Sequence, residues 1–220
     1  MRARCDPAGP SLSLAPVNSR TVLILVRHGE TSANLDGVWH GATDSPLTAR
    51  GERQAARVAA HLGAAYTDAA AIYTSDLQRA RRTAEAIGET LDRETVTERG
   101  LREYDLGSWE GKTYADLQGT HDLWHHMKTD PHFAPHGGES PQAVTQRFTG
   151  ALASIAANHA GERVVVVAHG GAFSLAMGSL LNGHYSKWHP VMDNCGVSEL
   201  ALDPQPELLR FNFTDHLAGV

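Results

Sequence analysis

The sequence predicts a three-layer α/β/α sandwich around a mostly parallel central sheet, with a helical and loop insertion as a lid. Two apolar runs carry that expectation. Residues 22–26 (Val-Leu-Ile-Leu-Val) and 164–168 (Val-Val-Val-Val-Ala) contain no polar break, the pattern of strands buried on both faces beneath helices. Around them, segments with helical period alternate with short strand-like pieces, which favours strand–helix layering over a bundle or an all-β fold. Both runs also end alike, in Arg27-His28-Gly29 and in His169-Gly170-Gly171. Ligands in open α/β sheets gather at the carboxyl ends of strands, so Arg27, His28 and His169 stand where a ligand is expected.

The remaining elements follow in chain order. Residues 34–46 read as loop, broken by Gly37, Gly41 and Pro46. Thr48 caps a helix to about residue 62, with Ala55, Val58, Ala59 and Leu62 on one face and Gly63 as its stop. A strand over 70–73 hands over to Ser75-Asp76-Leu77-Gln78, whose spacing predicts a capping box. The helix behind it runs to about residue 90, with Arg79 in its first turn and Arg81 pairing with Glu85. A weak strand covers 94–97, and 101–111 reads as a loop. Residues 113–128 are expected to be helical, followed by a loop rich in His, Pro and Gly. Ser140 as N-cap and Pro141 at the first helical position open the clearest helix, with Val144, Phe148, Ala151, Leu152 and Ile155 as its buried stripe. An apolar helix over 172–181 and strands over 197–202 and 208–213 complete the chain. Residues 20–220 are read as one domain with 104–139 as its lid. Residues 1–19, rich in Pro, Ser, Ala and Gly, are read as a flexible extension without the apolar core of a signal peptide.

Composition narrows the function. At 220 residues with a net charge of −6, the chain can bury a sizeable core but offers no basic face, so nucleic acid and anionic membrane surfaces are not expected partners. No apolar run approaches the roughly 20 residues that a membrane span needs. Cys5 and Cys195 have no metal or redox spacing, which fits a reducing cytoplasm. Oligomeric state is left open.

The strand ends and the capped helix share one chemical meaning. Arg27 and Arg79 have the forked geometry that grips phosphate oxygens. Gly29, Gly170 and Gly171 let backbone donors come close to an anion, and a helix N-terminus adds partial positive charge. His121 and His125 have i,i+4 spacing, with His126, His132 and His136 nearby, but no cysteine or tightly spaced carboxylate completes a metal site. No metal or other cofactor is expected. Trp124 and Phe133 are expected to cover a pocket, Glu30 to be a structural acceptor, Asp76 a helix N-terminal charge, and His184 and His189 surface or turn residues.

Arg27-His28-Gly29-Glu30-Thr31 with Asn34 resembles the defining motif of the histidine phosphatase superfamily, the phosphoglycerate mutase-like proteins. Further elements follow in order: Asp44-Ser45-Pro46-Leu47-Thr48, Ser75-Asp76-Leu77-Gln78-Arg79-Ala80, Leu101-Arg102-Glu103, Gly138-Glu139-Ser140 and Ala168-His169-Gly170. The resemblance implies that His28 is the nucleophile that becomes phosphohistidine. It implies that Arg27, Arg79 and His169 hold the phosphoryl group with help from Asn34, and that Glu103 protonates the leaving oxygen and then activates water. Asp105 and Glu110 are neighbouring alternatives for that acid. Phosphoryl transfer needs in-line positioning and cationic cover, and a neutral imidazole is a competent nucleophile without a metal. The implied activity is a phosphomonoesterase acting on a small phosphorylated metabolite. Local similarity of residues 134–140 to glucosyl-3-phosphoglycerate phosphatases points to a sugar or glycerate phosphate. The rivals are a mutase dependent on 2,3-bisphosphoglycerate, which carries a longer insertion than the 65 residues between Glu103 and His169, and a non-catalytic phosphate-binding module.

Overall fold

A computed structural model describes residues 20–187 and 189–220. The extension expected over 1–19 lies outside the described residues. The apolar run near the start forms β1, Val22–Arg27, and its counterpart forms β4, Arg163–Ala168. They pair in parallel at the centre of a six-stranded sheet of order β3-β2-β4-β1-β5-β6. β2 (Ala71–Thr74) and β3 (Thr95–Thr97) extend the parallel half. β5 (Val197–Ala201) lies antiparallel to β1, and β6 (Glu207–Phe213) antiparallel to β5.

Why the two central strands read as unbroken apolar runs is visible in the packing. Leu23 and Leu25 of β1, with Val164 and Val166 of β4, face a core filled by α6 (Pro141–Asn158) and α7 (Gly170–Asn182). The alternate residues Ile24, Val26, Val165 and Val167 face a second core under α2 (Ala49–Ala65) and α3 (Gln78–Leu91). Successive side chains of a strand point to opposite faces, so burial on both sides removes the polar alternation. The predicted three layers are present.

Several local expectations need correction. The helix expected to stop at Gly63 continues to Ala65 and is closed by Tyr66, whose N–H donates to the Leu62 carbonyl. A Cβ on Gly63 would meet the Thr90 methyl at 2.5 Å, so this glycine serves the contact between α2 and α3 instead of ending a helix. The predicted capping box does not form: Ser75 Oγ accepts from Leu77 N–H, and α3 begins at Gln78, whose N–H donates to Asp44 Oδ2 at 2.8 Å. Glu85 pairs with Arg82, not Arg81. Residues 113–128 split into α4 (Tyr114–Gly119) and α5 (Leu123–Thr129), separated by Asp122 with φ of 46°. A four-residue helix, α1 (Ser32–Leu35), runs into the start of the expected loop.

Within 104–139, the buried side chains of Leu117, Leu123 and Met127 join the core shared with α6 and α7. Residues 37–39 pair with this segment through Val38–Thr113 bridging and a Trp39 N–H to Lys112 carbonyl bond of 2.9 Å. Among the described residues, no helix is long and apolar enough to cross a membrane. Leu25 is fully buried mid-strand, so Leu25→Ala should cost about 2–5 kcal/mol of unfolding free energy in urea titration. A loss under about 1 kcal/mol would contradict this packing.

Candidate active site

Arg27 lies opposite Ala168 in the β1–β4 ladder, and the ladder continues one step further where His28 N–H donates to the Ala168 carbonyl at 3.0 Å. His28 and His169 therefore leave the sheet side by side. Their ring centroids are 5.2 Å apart, and both rings are buried. The two histidines are 141 positions apart in sequence, and parallel register alone joins them.

His28 Nδ1 lies 2.7 Å from the Gly29 carbonyl oxygen. A carbonyl can only accept, so Nδ1 bears the proton and the lone pair of the neutral ring is on Nε2. Burial first, then the charges of Arg79 and Arg27, hold His28 well below the usual imidazole pKa, against the pull of the Gly29 bond. His169 is pushed well below its usual value by burial, Arg79, His28 and Arg27. Both His169 ring nitrogens are buried without a hydrogen-bond partner, an arrangement that is costly unless a polar guest meets it.

The two arginines flank the rings. Arg27 gives one terminal nitrogen to the Met192 carbonyl at 2.6 Å, while its buried Nε has no partner. Arg79 is 2% exposed, and its terminal nitrogens bond the carbonyls of His40, Gly41 and Thr43, each at 2.9 Å, with Asp44 at 3.4 Å. Its fork grips a loop, so what Arg79 has left for a ligand is its charge and its Nε–H. That corrects the forked clamp expected from sequence.

Glu103 is buried beside the same cavity. Its Oε1 accepts from Tyr104 N–H (2.8 Å) and Ala172 N–H (2.7 Å), and its Oε2 from Gly171 N–H (2.8 Å). Two of these donors belong to the first turn of α7, which starts directly after His169. The N-terminal end of that helix is an anion site, and a carboxylate of this chain occupies much of it. Gly170 remains at the cavity wall. A Cβ on Gly171 would sit 2.8 Å from Glu103 Oε1 and 3.1 Å from the Trp39 ring. Asp105 and Glu110, the alternative acids, do not line the cavity. Asp105 accepts from Gly107 N–H, and Glu110 is bound by the N–H groups of Gly41, Ala42, Thr43 and Leu106.

Asn34 lines the cavity and also caps its own turn. Its Oδ1 accepts from Thr31 N–H (3.1 Å) and Asn194 Nδ2 (3.2 Å), so the group left for a ligand is its Nδ2 donor. Glu30 holds Arg50 and Thr48, away from the chemistry. Asp76 does more than charge a helix end: it forms a two-bond ion pair with Arg102, at 2.6 and 2.7 Å. Of the pocket covers, Trp124 lines the cavity, whereas Phe133 stacks on His126 at 4.2 Å. His121 rests against Trp109, and among the described residues no group of three His, Cys, Asp or Glu is placed to hold a metal ion. Four residues that sequence reasoning did not assign position the site. Thr83 Oγ1 accepts from Gly29 N–H and donates to the Arg79 carbonyl. Asn194 donates to the His28 carbonyl. Arg147 donates to the carbonyls of Gly100, Arg102 and Glu103, braced by Glu139. Glu139 stood inside the recognised Gly138-Glu139-Ser140 element, and Thr83 follows the end of the Ser75–Ala80 element by three residues. Asn194 and Arg147 had no signal beyond their residue type.

Residues 23–214 match the family described as histidine phosphatase superfamily, branch 1. The chain belongs to the histidine phosphatase superfamily. It is 36% identical over 192 residues to the probable phosphoglycerate mutase GpmB of Klebsiella pneumoniae, covering 84% of this chain and 86% of that one. It superposes on a mycobacterial glucosyl-3-phosphoglycerate phosphatase solved with VO3 at a TM-score of 0.78, with 30% identity, 89% of this chain and 100% of that one. A phosphoserine phosphatase of Entamoeba histolytica solved with 3-phosphoglyceric acid aligns at a TM-score of 0.79, with 31% identity, 90% of this chain and 99% of that one.

The two buried imidazoles tie stability to pH. Their folded pKa values are lowered, whereas the unfolded chain takes up protons near pH 6.5. Stability is full above about pH 6.5 and falls as pH drops from there toward the folded values, by up to about 1.4 kcal/mol per pH unit for each ring. The urea midpoint of the wild type should fall more between pH 7.5 and 5.5 than that of a His28→Gln/His169→Gln double variant. Equal falls would contradict neutral burial of the pair.

Proposed function

We propose that this chain is a phosphomonoesterase that hydrolyses a small phosphorylated metabolite through phosphohistidine on His28. The observation that carries the reading is the bonding of the His28 ring: Nδ1 is fixed on the Gly29 carbonyl, which leaves the Nε2 lone pair for attack. Nε2 attacks phosphorus as the bond to the ester oxygen breaks, and the carboxyl of Glu103 gives its proton to that oxygen. Water then gives a proton back to Glu103 and attacks phosphorus, the P–N bond breaks, and inorganic phosphate leaves. Arg27 and Arg79 offset charge on the equatorial oxygens. His169 meets the same group with its unpartnered nitrogens, while Asn34 and the Gly170 backbone add donors. Residues 104–139 act as the lid, no metal takes part, and the protein works in the cytoplasm, where the free thiol of Cys195 is at home.

One finding favours a mutase instead, the name of the Klebsiella relative. The two activities differ in whether water or a second hydroxyl accepts the phosphoryl group. Rapid acid quench with a labelled phosphate ester should trap label on wild-type protein and none on His28→Ala, with turnover falling by at least about 10³-fold. Glu103→Gln should lower turnover about 10²- to 10⁴-fold for an ester with a poor leaving group. Phosphate release should be unaffected by EDTA. Turnover that requires 2,3-bisphosphoglycerate would establish the mutase, and binding without label on His28 would leave a recognition module. Because a Cβ at Gly171 crowds Glu103 and Trp39, Gly171→Ala should lower kcat by about 10²-fold, the effect of a misplacement near 1 Å. Unchanged kcat would separate Glu103 from the chemistry.

A further inference from the structure

The cavity above His28 is built on two levels. Its floor holds Arg27, Arg79, His28 and Glu103, and its walls and mouth are formed by Val38, Trp39, Tyr114, Trp124, Met127 and Leu175, in a space of about 140 Å³. Among the described residues that line it, Arg27 and Arg79 carry the only permanent positive charges. Both sit at the floor, and four of the five Arg79 N–H donors are already committed to the loop over residues 40–44. What remains for a ligand at this end includes the Nε–H of each arginine, with the His169 nitrogens and Asn34 Nδ2 beside them, a donor set that one phosphoryl group would largely take up.

The rest of the described lining is mostly apolar and carries no further permanent charge, with Thr31, Asn34, His40, Ser174 and the Tyr114 hydroxyl as its polar members. The Trp39 ring meets the Tyr114 ring at 5.7 Å and 64°, and its indole N–H is spent on the Tyr104 carbonyl at 3.2 Å. Trp39 therefore presents ring surface, not a donor. At the rim, Tyr114 is 40% and Val191 54% exposed, apolar area that a ligand's hydrocarbon would take out of water. A carboxylate placed between these side chains would lose its hydration with no cation to replace it.

We infer that, on the phosphohistidine reading above, the substrate is a phosphomonoester whose alcohol part is uncharged and apolar or aromatic. Esters carrying a second anionic group, such as phosphoglycerates, are disfavoured. The inference departs from the sugar or glycerate phosphate expected from sequence, and it counts against the bisphosphoglycerate-dependent mutase, whose cofactor brings two phosphates and a carboxylate.

Benzyl phosphate and 3-phosphoglycerate both release a primary alcohol, so their comparison isolates the pocket. The expected result is a kcat/KM at least about tenfold higher for benzyl phosphate, with Tyr114→Ala narrowing the gap through KM. Val191→Lys, at an exposed rim position, should raise kcat/KM for 3-phosphoglycerate and not for benzyl phosphate. Calorimetric binding of benzylphosphonate and 2-carboxyethylphosphonate to the wild type reads the same preference without turnover. Equal or better use of 3-phosphoglycerate, or tighter binding of the carboxylated phosphonate, would overturn the inference and leave hydrolysis standing. If benzylphosphonate binds more tightly yet no ester is turned over and His28 takes no label, the pocket preference holds and the hydrolytic reading falls.

Discussion

The parallel pairing of the two central strands sets everything else in this molecule. Arg27 stands opposite Ala168, and the following histidine on one strand bonds the last carbonyl of the other. In a sheet, slipping one residue along a partner turns every side chain to the other face. Here such a slip would exchange the residues of two separate cores, since Leu23 and Ile24 serve different layers. Core packing on both faces thus fixes the register, and the register fixes where two imidazoles emerge. The chemistry is held in place by hydrocarbon that never touches it.

Around that pair, positioning relies on main-chain atoms to an unusual degree. Arg79 is held by three carbonyls, and the loop that supplies them is itself held by Glu110 through backbone N–H groups on its other side. Glu103 is fastened by three amides, two of them from the start of α7. Beneath it, Arg147 gathers the carbonyls of residues 100, 102 and 103. Charged side chains and loop backbone alternate: main-chain groups meet the hydrogen bonds of Glu103, Glu110 and most of those of Arg79, whereas Arg147 is also paired with Glu139. Arg79 has only Asp44, at 3.4 Å. The floor of the cavity can therefore keep net positive character inside a protein of net charge −6.

The sequence made the architecture readable where burial left a pattern. The unbroken apolar runs of β1 and β4, the Ser140-Pro141 start of α6 and the buried stripe of α6 all follow from local chemistry. What escaped was either too short or too distant. α1 spans four residues, less than the two turns a helical period needs to show itself. Ser75 matched a capping box in spacing, but its hydroxyl turns to Leu77, and the helix opens later. Asp76 looked like a helix-end charge because its true partner, Arg102, lies 26 positions on. Asn34 was weighed between ligand contact and cap, and it is placed to serve as both. Glu110, Arg147 and Asn194 were illegible as positioning residues, since what they bind is backbone, which has no letter in the sequence.

The loop over residues 39–43 has a double nature with an evolutionary consequence. Its carbonyls steady the buried guanidinium of Arg79, whereas the Trp39 ring forms the cavity wall. Carbonyl oxygens are common to every amino acid, so side chains along this loop other than at Gly41, where a Cβ would collide with the Tyr104 carbonyl, can be exchanged while the anchor for the anion persists. A lineage built on this scaffold can change what it accepts by altering letters next to the reaction centre without dismantling it.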